Sequence, residues 1–375
     1  MRRGQPKNRL FDFWLGIPVL NFLAAFHRRR NPPAKIERIG VMCSPALGDT
    51  LLFSGPLQDI RAAFPLAHIT HICMKPNLAA AEIIPGADAR LLIDLTSPLK
   101  TVQALRSQHF DVLFDFSTWQ RLTALYTLLS GAKFTVGFRT AGQHRSRGYD
   151  RLADHTRDRH ELENYRAILP ASGLIPSINT PHEPHVVIHE STTTPLESES
   201  EMIVFHLWAS GARSELREWP DANWLALAQR LATPNTTFVL TGAPSDRTRI
   251  DSFAQQLNAT GLRVMPYVSP DGFLSLTRLL RRAKVVISVN TGVMHLAAIA
   301  GAPTVSLNGP TAEHRWGARG RCVANVQPAD GSGGYLHLGF EFANQPADII
   351  HRITVDQVFE ACTSLIARCG KQEPR

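Results

Sequence analysis

The feature that most constrains this chain is an alternation of β-branched runs and amphipathic helical runs, interrupted once by a stretch that suits neither. That stretch, "PHEPHVVIHESTTTPLESESE" at residues 181–201, is rich in Pro, Ser, Thr and Glu and holds one short apolar island. It reads as a linker. Before it, "RIGVMC", "ITHICM", "RLLID", "VLFDF" and "AKFTVGF" read as strands bounded by turn residues or helical stretches. After it, "MIVFHL", "TTFVL", "RVMPYV", "VVISV" and "TVSL" follow the same pattern, and "TVDQVFEACTSLIA" ends the series as an amphipathic helix. Such alternation builds parallel α/β sheets. Two runs predict two Rossmann-like domains across a cleft, at 36–180 and 202–375, with 1–35 as a separate N-terminal segment. The chain has 375 residues, 44% of them apolar, which suffices for two cores of ordinary size.

Charge is unevenly divided. Residues 1–180 hold 23 Lys/Arg against 14 Asp/Glu, whereas residues 181–375 hold 17 against 18. A basic front half suits an anionic partner, either lipid headgroups or a phosphorylated substrate; a solvated basic face is the alternative. The apolar run "FDFWLGIPVLNFLAAF" lies between "RRGQPKNR" and "HRRR" and has 16 residues. A spanning helix needs ~20. Pro18 and Asp12 argue further against spanning, and the run ends in arginines with no small-residue cleavage site, unlike a signal peptide. It is expected to be an interfacial anchor with Trp14 and the Phe side chains at acyl depth, or else a helix packed on the protein's own core. Cysteines 43, 73, 322, 362 and 369 are odd in number and contain no C-x-x-C pair. They are expected to be free thiols in a reducing cytoplasm.

Several chemistries lack their signatures. There is no G-x-x-x-x-G-K-[ST], no G-x-G-x-x-G after the first strand and no G-x-S-x-G. A P-loop NTPase, a nicotinamide dehydrogenase and an α/β-hydrolase are therefore disfavoured. No D-x-D pair is present to hold a metal-bound sugar nucleotide. His182 and His185 have no further ligand cluster for zinc. The basic excess lacks the interleaved aromatics of a nucleic-acid module. No metal and no resident cofactor are expected.

Three segments carry chemistry. In "SPALGDTLLFSGPLQDIRAAFP" a strand ends near Cys43 and a helical pattern follows, which puts Asp49 at the carboxyl end of the first strand. Asp49 suits either a helix N-cap or a general base that takes a proton from an attacking hydroxyl. In "GARSELREWP", Ser210 and Gly211 allow close backbone approach, while Arg213 and Arg217 offer planar cationic forks for phosphate. Trp219 and Pro220 read as structural. In "SVNTGVMHLAAIAGAPTVSLNGPT", Thr291 and Gly292 open a helix whose unpaired N–H groups form an anion site, and His295, one turn in, reads on its own as a core histidine. Asp246, in "TGAPSD", suits ribose hydroxyls or an N-cap.

Together these segments resemble glycosyltransferase family 9, the ADP-heptose:lipopolysaccharide heptosyltransferases, over roughly residues 36–365. The resemblance implies a two-domain GT-B fold, with acceptor bound by the first domain and nucleotide sugar by the second. It implies inversion at the anomeric centre without a bound metal, in accord with the missing D-x-D. By similarity, Asp49 matches the catalytic aspartate, Arg217 a lysine on the diphosphate, and Asp246 an acidic residue on the ribose. Thr291, Gly292 and His295 match the donor loop. That loop often begins Asp-Thr-Gly; Asn290 replaces the aspartate and carries no charge to the donor's sugar. The expected protein is a peripheral enzyme on the cytoplasmic face of the inner membrane. It would move a heptose or related sugar from a nucleoside diphosphate to a lipopolysaccharide-type acceptor, with Arg139, Arg145 and Arg147 either near acceptor phosphates or on a solvated loop. The alternatives are an enzyme of this fold using another sugar nucleotide, as transferase, epimerase or hydrolase, and an inactive membrane-associated scaffold.

Overall fold

Each half of the chain builds one six-stranded, wholly parallel sheet, and the two sheets share a strand order. The computed structural model describes residues 13–14, 16–43, 46–187, 201–211, 213–270, 272–338, 341–342 and 344–369. It divides into one unit ending at Val187 and another beginning at Ile188. In the first unit, β1 (Arg38–Met42), β2 (His68–Met74), β3 (Ala89–Ile93), β4 (Val112–Asp115), β5 (Phe134–Thr140) and β6 (Arg151–His155) lie in the order β3-β2-β1-β4-β5-β6. In the second, β7 (Glu201–His206), β8 (Thr236–Thr241), β9 (Val264–Tyr267), β10 (Val285–Val289), β11 (Thr304–Leu307) and β12 (Val323–Val326) lie in the order β12-β11-β10-β7-β8-β9. Counted from its own first strand, each sheet is doubly wound, and the winding reverses between β1 and β4 and between β7 and β10. Ligands of such sheets bind beyond the strands' carboxyl ends at that reversal.

The central strands are buried on both faces, as parallel strands under helices must be. The second core gathers Phe205, Phe238, Trp219 and Trp224 beneath the helices, and the Trp219 indole N–H donates to the Ile353 carbonyl at 2.8 Å. The C-terminal helix Val355–Cys369 packs in this unit, against β12, β11 and the helix Asp221–Leu231. Strands β6 and β12 escape the sequence pattern because "RLADH" and "VANV" are short and mix polar with small residues. Asp221 opens the helix Asp221–Leu231, whose N-cap is Pro220.

Three expectations change. Cys322 and Cys369 form a disulfide, whereas Cys43, Cys73 and Cys362 are free and buried. The free-thiol reading fails for that pair because packing of the last helix on β12 brings together residues 47 apart in sequence. Residues 182–187, read as the start of a linker, lie against the first unit. His182 meets Asp59 through both its N–H and its ring Nδ1, the His185 N–H donates to Ser54 Oγ, and the Val187 N–H donates to the Ile83 carbonyl. The rest of the linker, 188–200, lies outside the described residues. Lastly, the N-terminal apolar run packs on its own unit, but with one side only. Leu20 is buried with Ala124 and Tyr149, while Trp14, Phe22 and Phe26 stay exposed. Among the described residues no helix is long and apolar enough to cross a membrane.

Candidate functional site

Polar residues gather beyond the carboxyl ends of the strands in each unit's sheet. In the first, β1 leads into the helix Leu47–Ala63, whose N-cap is Ala46. Asp49 is thus the third helical residue, not the cap. It sits in the first turn, where the helix dipole favours the ionised carboxylate. Its side chain is 4% exposed, and Oδ1 accepts a hydrogen bond from the Tyr165 hydroxyl at 2.9 Å. Burial, with the Asp49 charge, holds the Tyr165 phenol well above its ordinary pKa. The phenol therefore stays protonated and serves as a donor. Phe116 meets the tyrosine ring edge-on at 6.0 Å and Phe138 lies 6.4 Å from it, which fixes the hydroxyl in place. A nearly dry carboxylate that a buried hydroxyl helps to orient is equipped to accept a proton. Tyr165 was not legible beforehand: it lies 116 residues from Asp49, on the ordinary amphipathic helix Glu161–Ala171.

The three arginines proposed for acceptor phosphates separate. Arg139 is exposed and pairs with Asp154 at 3.3 Å. Arg147 is exposed on the short turn Ser146–Gly148, which packs against the helix Gly16–Ala25. Arg145 corrects the expectation. It is fully buried, its guanidinium lies 2.7 Å from Asp115 Oδ2, and the Tyr149 hydroxyl donates to the same oxygen at 2.7 Å. An arginine committed to a buried carboxylate is a structural element, not a surface phosphate ligand.

In the second unit, the residues after β7 and after β10 flank the reversal point. Gly211 takes φ +97°, a conformation open to glycine at little cost, and the Arg217 guanidinium donates to the Ser210 carbonyl at 2.6 Å. Arg217 ends the short 3₁₀ turn Ser214–Arg217, so this contact ties it to the loop it closes. Arg213 instead pairs with Glu215 at 3.2 Å. After β8, Asp246 Oδ2 accepts from the Ala243 N–H at 2.9 Å. The side chain closes its own turn and makes no cap bond to the following helix. The turn is close-packed about Gly242, where a Cβ would lie 2.9 Å from Ile250 Cδ1 and 3.1 Å from Asp246 Cβ. At the end of β7, His206 is buried and its pKa is lowered to about 4, chiefly by desolvation, so it is neutral near pH 7; Nδ1 lies 3.1 Å from the Thr241 carbonyl.

After β10, Thr291 caps the helix Gly292–Ile299 by accepting from the Met294 N–H at 3.5 Å. The N–H groups of Gly292 and Val293 are left at the helix entrance, where an anion is favoured. His295 is 4% exposed, so its ring belongs to the interior. Asn290 is held by bonds the sequence did not disclose. Its Nδ2 donates to Asn308 Oδ1 at 2.6 Å and to the Trp316 carbonyl at 2.8 Å. Asn308 Oδ1 also accepts from Ser306 Oγ at 3.1 Å, and its Nδ2 faces Asn325 Oδ1 at 3.4 Å. Aspartate at 290 would set a carboxylate against two acceptors. Asn290→Asp is expected to lower stability by about 1–3 kcal/mol, the cost of acceptors left unpaired, as urea denaturation would measure.

Comparison with known proteins adds a lineage. The model of glycosyltransferase family 9 (heptosyltransferase) matches residues 99–330. That stretch contains Arg217, Asp246 and Asn290 to His295, while Asp49 precedes it. Lipopolysaccharide heptosyltransferase 1 of Escherichia coli (strain K12) is 25% identical over 290 residues, covering 73% of this chain and 88% of that protein. The solved ADP-heptose lipopolysaccharide heptosyltransferase II of E. coli superposes with TM-score 0.68 at 18% identity, over 88% of this chain and 99% of that one. A family 9 glycosyl transferase from Veillonella parvula superposes with TM-score 0.72 at 18% identity, over 90% and 100%. The fold is GT-B.

Proposed function

The chain belongs to glycosyltransferase family 9, and from that premise we propose that it inverts the anomeric centre of a nucleoside-diphosphate sugar while passing that sugar to a lipopolysaccharide-type acceptor. It is a glycosyltransferase; the donor, stereochemistry and acceptor are the proposal. ADP-heptose is the favoured donor because the relatives named above act in heptose transfer. The observation that carries the proposal is the grouping of Ser210, Gly211 and Arg217 after β7 with Asn290, Thr291 and Gly292 after β10, on either side of the second sheet's reversal point.

Asp49 takes the proton of the acceptor hydroxyl as its oxygen attacks the anomeric carbon. The bond from that carbon to the diphosphate breaks, and the nucleoside diphosphate departs with the electron pair. Charge growing on the leaving group is met by Arg217 and by the helix entrance at Thr291–Gly292, a preorganised electrostatic site. Asp246 receives the ribose, and Asn290, whose Nδ2 is engaged inward, offers the sugar its Oδ1. His295 backs the donor loop. Ser210 and Gly211 shape the backbone beside the phosphates. The first unit binds the acceptor, the second the donor, and no metal is assigned a part because the sequence lacks a D-x-D pair. The enzyme works at the cytoplasmic face of the inner membrane.

The test is calorimetric binding of ADP-, GDP-, UDP- and TDP-sugars, followed by turnover with lipopolysaccharide-core acceptors. Tight binding of ADP-heptose alone, with transfer, is expected. Preference for another sugar nucleotide would move the chain to a different donor, consistent with Asn290 in place of a charged residue. Binding without turnover on any acceptor would leave an inactive scaffold.

A further inference from the structure

The helix Gly16–Ala25 is apolar on two opposite sides. Gly16, Leu20 and Ala24 recur every fourth residue and are buried. Trp14, Pro18, Phe22 and Phe26 recur at the same interval, offset by two residues, and are exposed; Trp14 is 71% exposed, Phe22 66% and Phe26 74%. An offset of two residues is about 200° around a helix, so the second series lies opposite the first. The first series meets the unit's own core beside Ala124 and Tyr149, and the second meets none. The helix itself carries no charged residue. Contiguous aromatic surface of this kind marks an interaction site.

What lies beside the stripe selects its partner. Arg28 and Arg29 follow the helix, are exposed, and make no ion pair among the described residues. Arg30 differs, since its guanidinium is bound to Asp150 at 2.9 Å. Arg147, also exposed, projects from the turn packed on the same helix. A second copy of the chain docking symmetrically would bring these cations together, whereas a bilayer with anionic headgroups neutralises them. Ten helical residues cover about 15 Å, half the hydrocarbon thickness of a bilayer, so the helix lies in the interface rather than across it.

We propose that Trp14, Pro18, Phe22 and Phe26, rimmed by Arg28, Arg29 and Arg147, form a surface by which the first unit docks on an anionic bilayer. The aromatics enter the boundary of headgroups and acyl chains, and the arginines meet lipid phosphates. This docking is independent of the sugar and of the transfer step.

The experiment is sedimentation of the full chain with vesicles of phosphatidylcholine alone and of phosphatidylcholine mixed with phosphatidylglycerol, at low and high salt. Wild type is expected to partition onto the mixed vesicles and to be released by salt. Phe22→Ser/Phe26→Ser should weaken that partitioning by roughly tenfold or more. Arg28→Gln/Arg29→Gln should weaken it by about 30-fold, the effect of two basic residues at an anionic surface, and leave partitioning onto phosphatidylcholine alone unchanged. Both pairs are exposed, and unaltered circular dichroism and sugar-nucleotide binding confirm that the fold is intact. The proposal is overturned if wild type ignores the mixed vesicles, or if either variant partitions as wild type does. It is also overturned if light scattering without lipid finds a dimer that Phe22→Ser/Phe26→Ser abolishes, which would assign the face to a second copy. Failure of glycosyl transfer would leave the vesicle result untouched.

Discussion

Asp49→Asn is expected to reduce kcat by a factor on the order of 10²–10⁴, the usual contribution of a general base, with sugar-nucleotide affinity unchanged. The substitution preserves shape. The amide oxygen of asparagine can still accept the Tyr165 hydroxyl that lies 2.9 Å from Asp49 Oδ1, so the aromatic surroundings have no reason to move. Only the capacity to take a proton is lost. Tyr165→Phe is the companion variant. It removes the hydroxyl that orients the carboxylate, so kcat should fall by less than in Asp49→Asn while sugar-nucleotide affinity holds. Tyr165 is thus a positioning residue, and a loss of rate accompanied by a lower urea midpoint would indicate a structural role alone. Near-normal turnover by Asp49→Asn would remove the aspartate from the reaction.

Arg145→Ala is expected to destabilise the first unit by about 3–5 kcal/mol, because it strands a buried carboxylate. Asp115 and Arg145 are both fully buried, with 2.7 Å between their charged atoms. Asp115 ends β4, next to the reversal point of its sheet, and its Oδ1 also accepts the Ser117 N–H at 2.9 Å. Urea unfolding would read the loss. The exposed residues Arg139 and Arg147 give the control, since Ala at either should change stability by less than about 0.5 kcal/mol. A double variant, Asp115→Asn/Arg145→Met, should recover part of the loss, as removing both charges removes the stranded one. A cost below about 1 kcal/mol for Arg145→Ala would show that Asp115 is satisfied by its other donors.

Most of the scaffold was legible because burial writes itself into sequence. Strands such as "VVISV" are buried along their whole length, so they read as nearly unbroken β-branched runs, with Ser288 the exception. The loops after β1, β7 and β10 were legible as loops for a related reason: they carry glycine, hydroxyl and charge where a core would forbid them. What stayed hidden was long-range pairing. Arg145 stands in "GQHRSRGYD" among polar residues and reads as surface, yet folding brings Asp115, 30 residues away, to its guanidinium. Tyr165 stands on an amphipathic helix with no motif around it, and only packing shows that its hydroxyl meets Asp49. Cys322 and Cys369 meet because a terminal helix returns to the sheet. None of these contacts has a period or a motif, so no local pattern predicts it.

The amide chain from Asn290 through Asn308 toward Asn325 also bears on how such a loop can evolve. Residue 290 exchanges a neutral side chain for an acidic one only against the oxygens of Asn308 and Trp316 that face it. A path of lower cost turns the Asn308 amide so that its nitrogen faces position 290, and with it the contacts to Ser306 and Asn325. Grafting the acidic residue into this background alone would therefore mix a packing cost into its apparent worth to sugar selection.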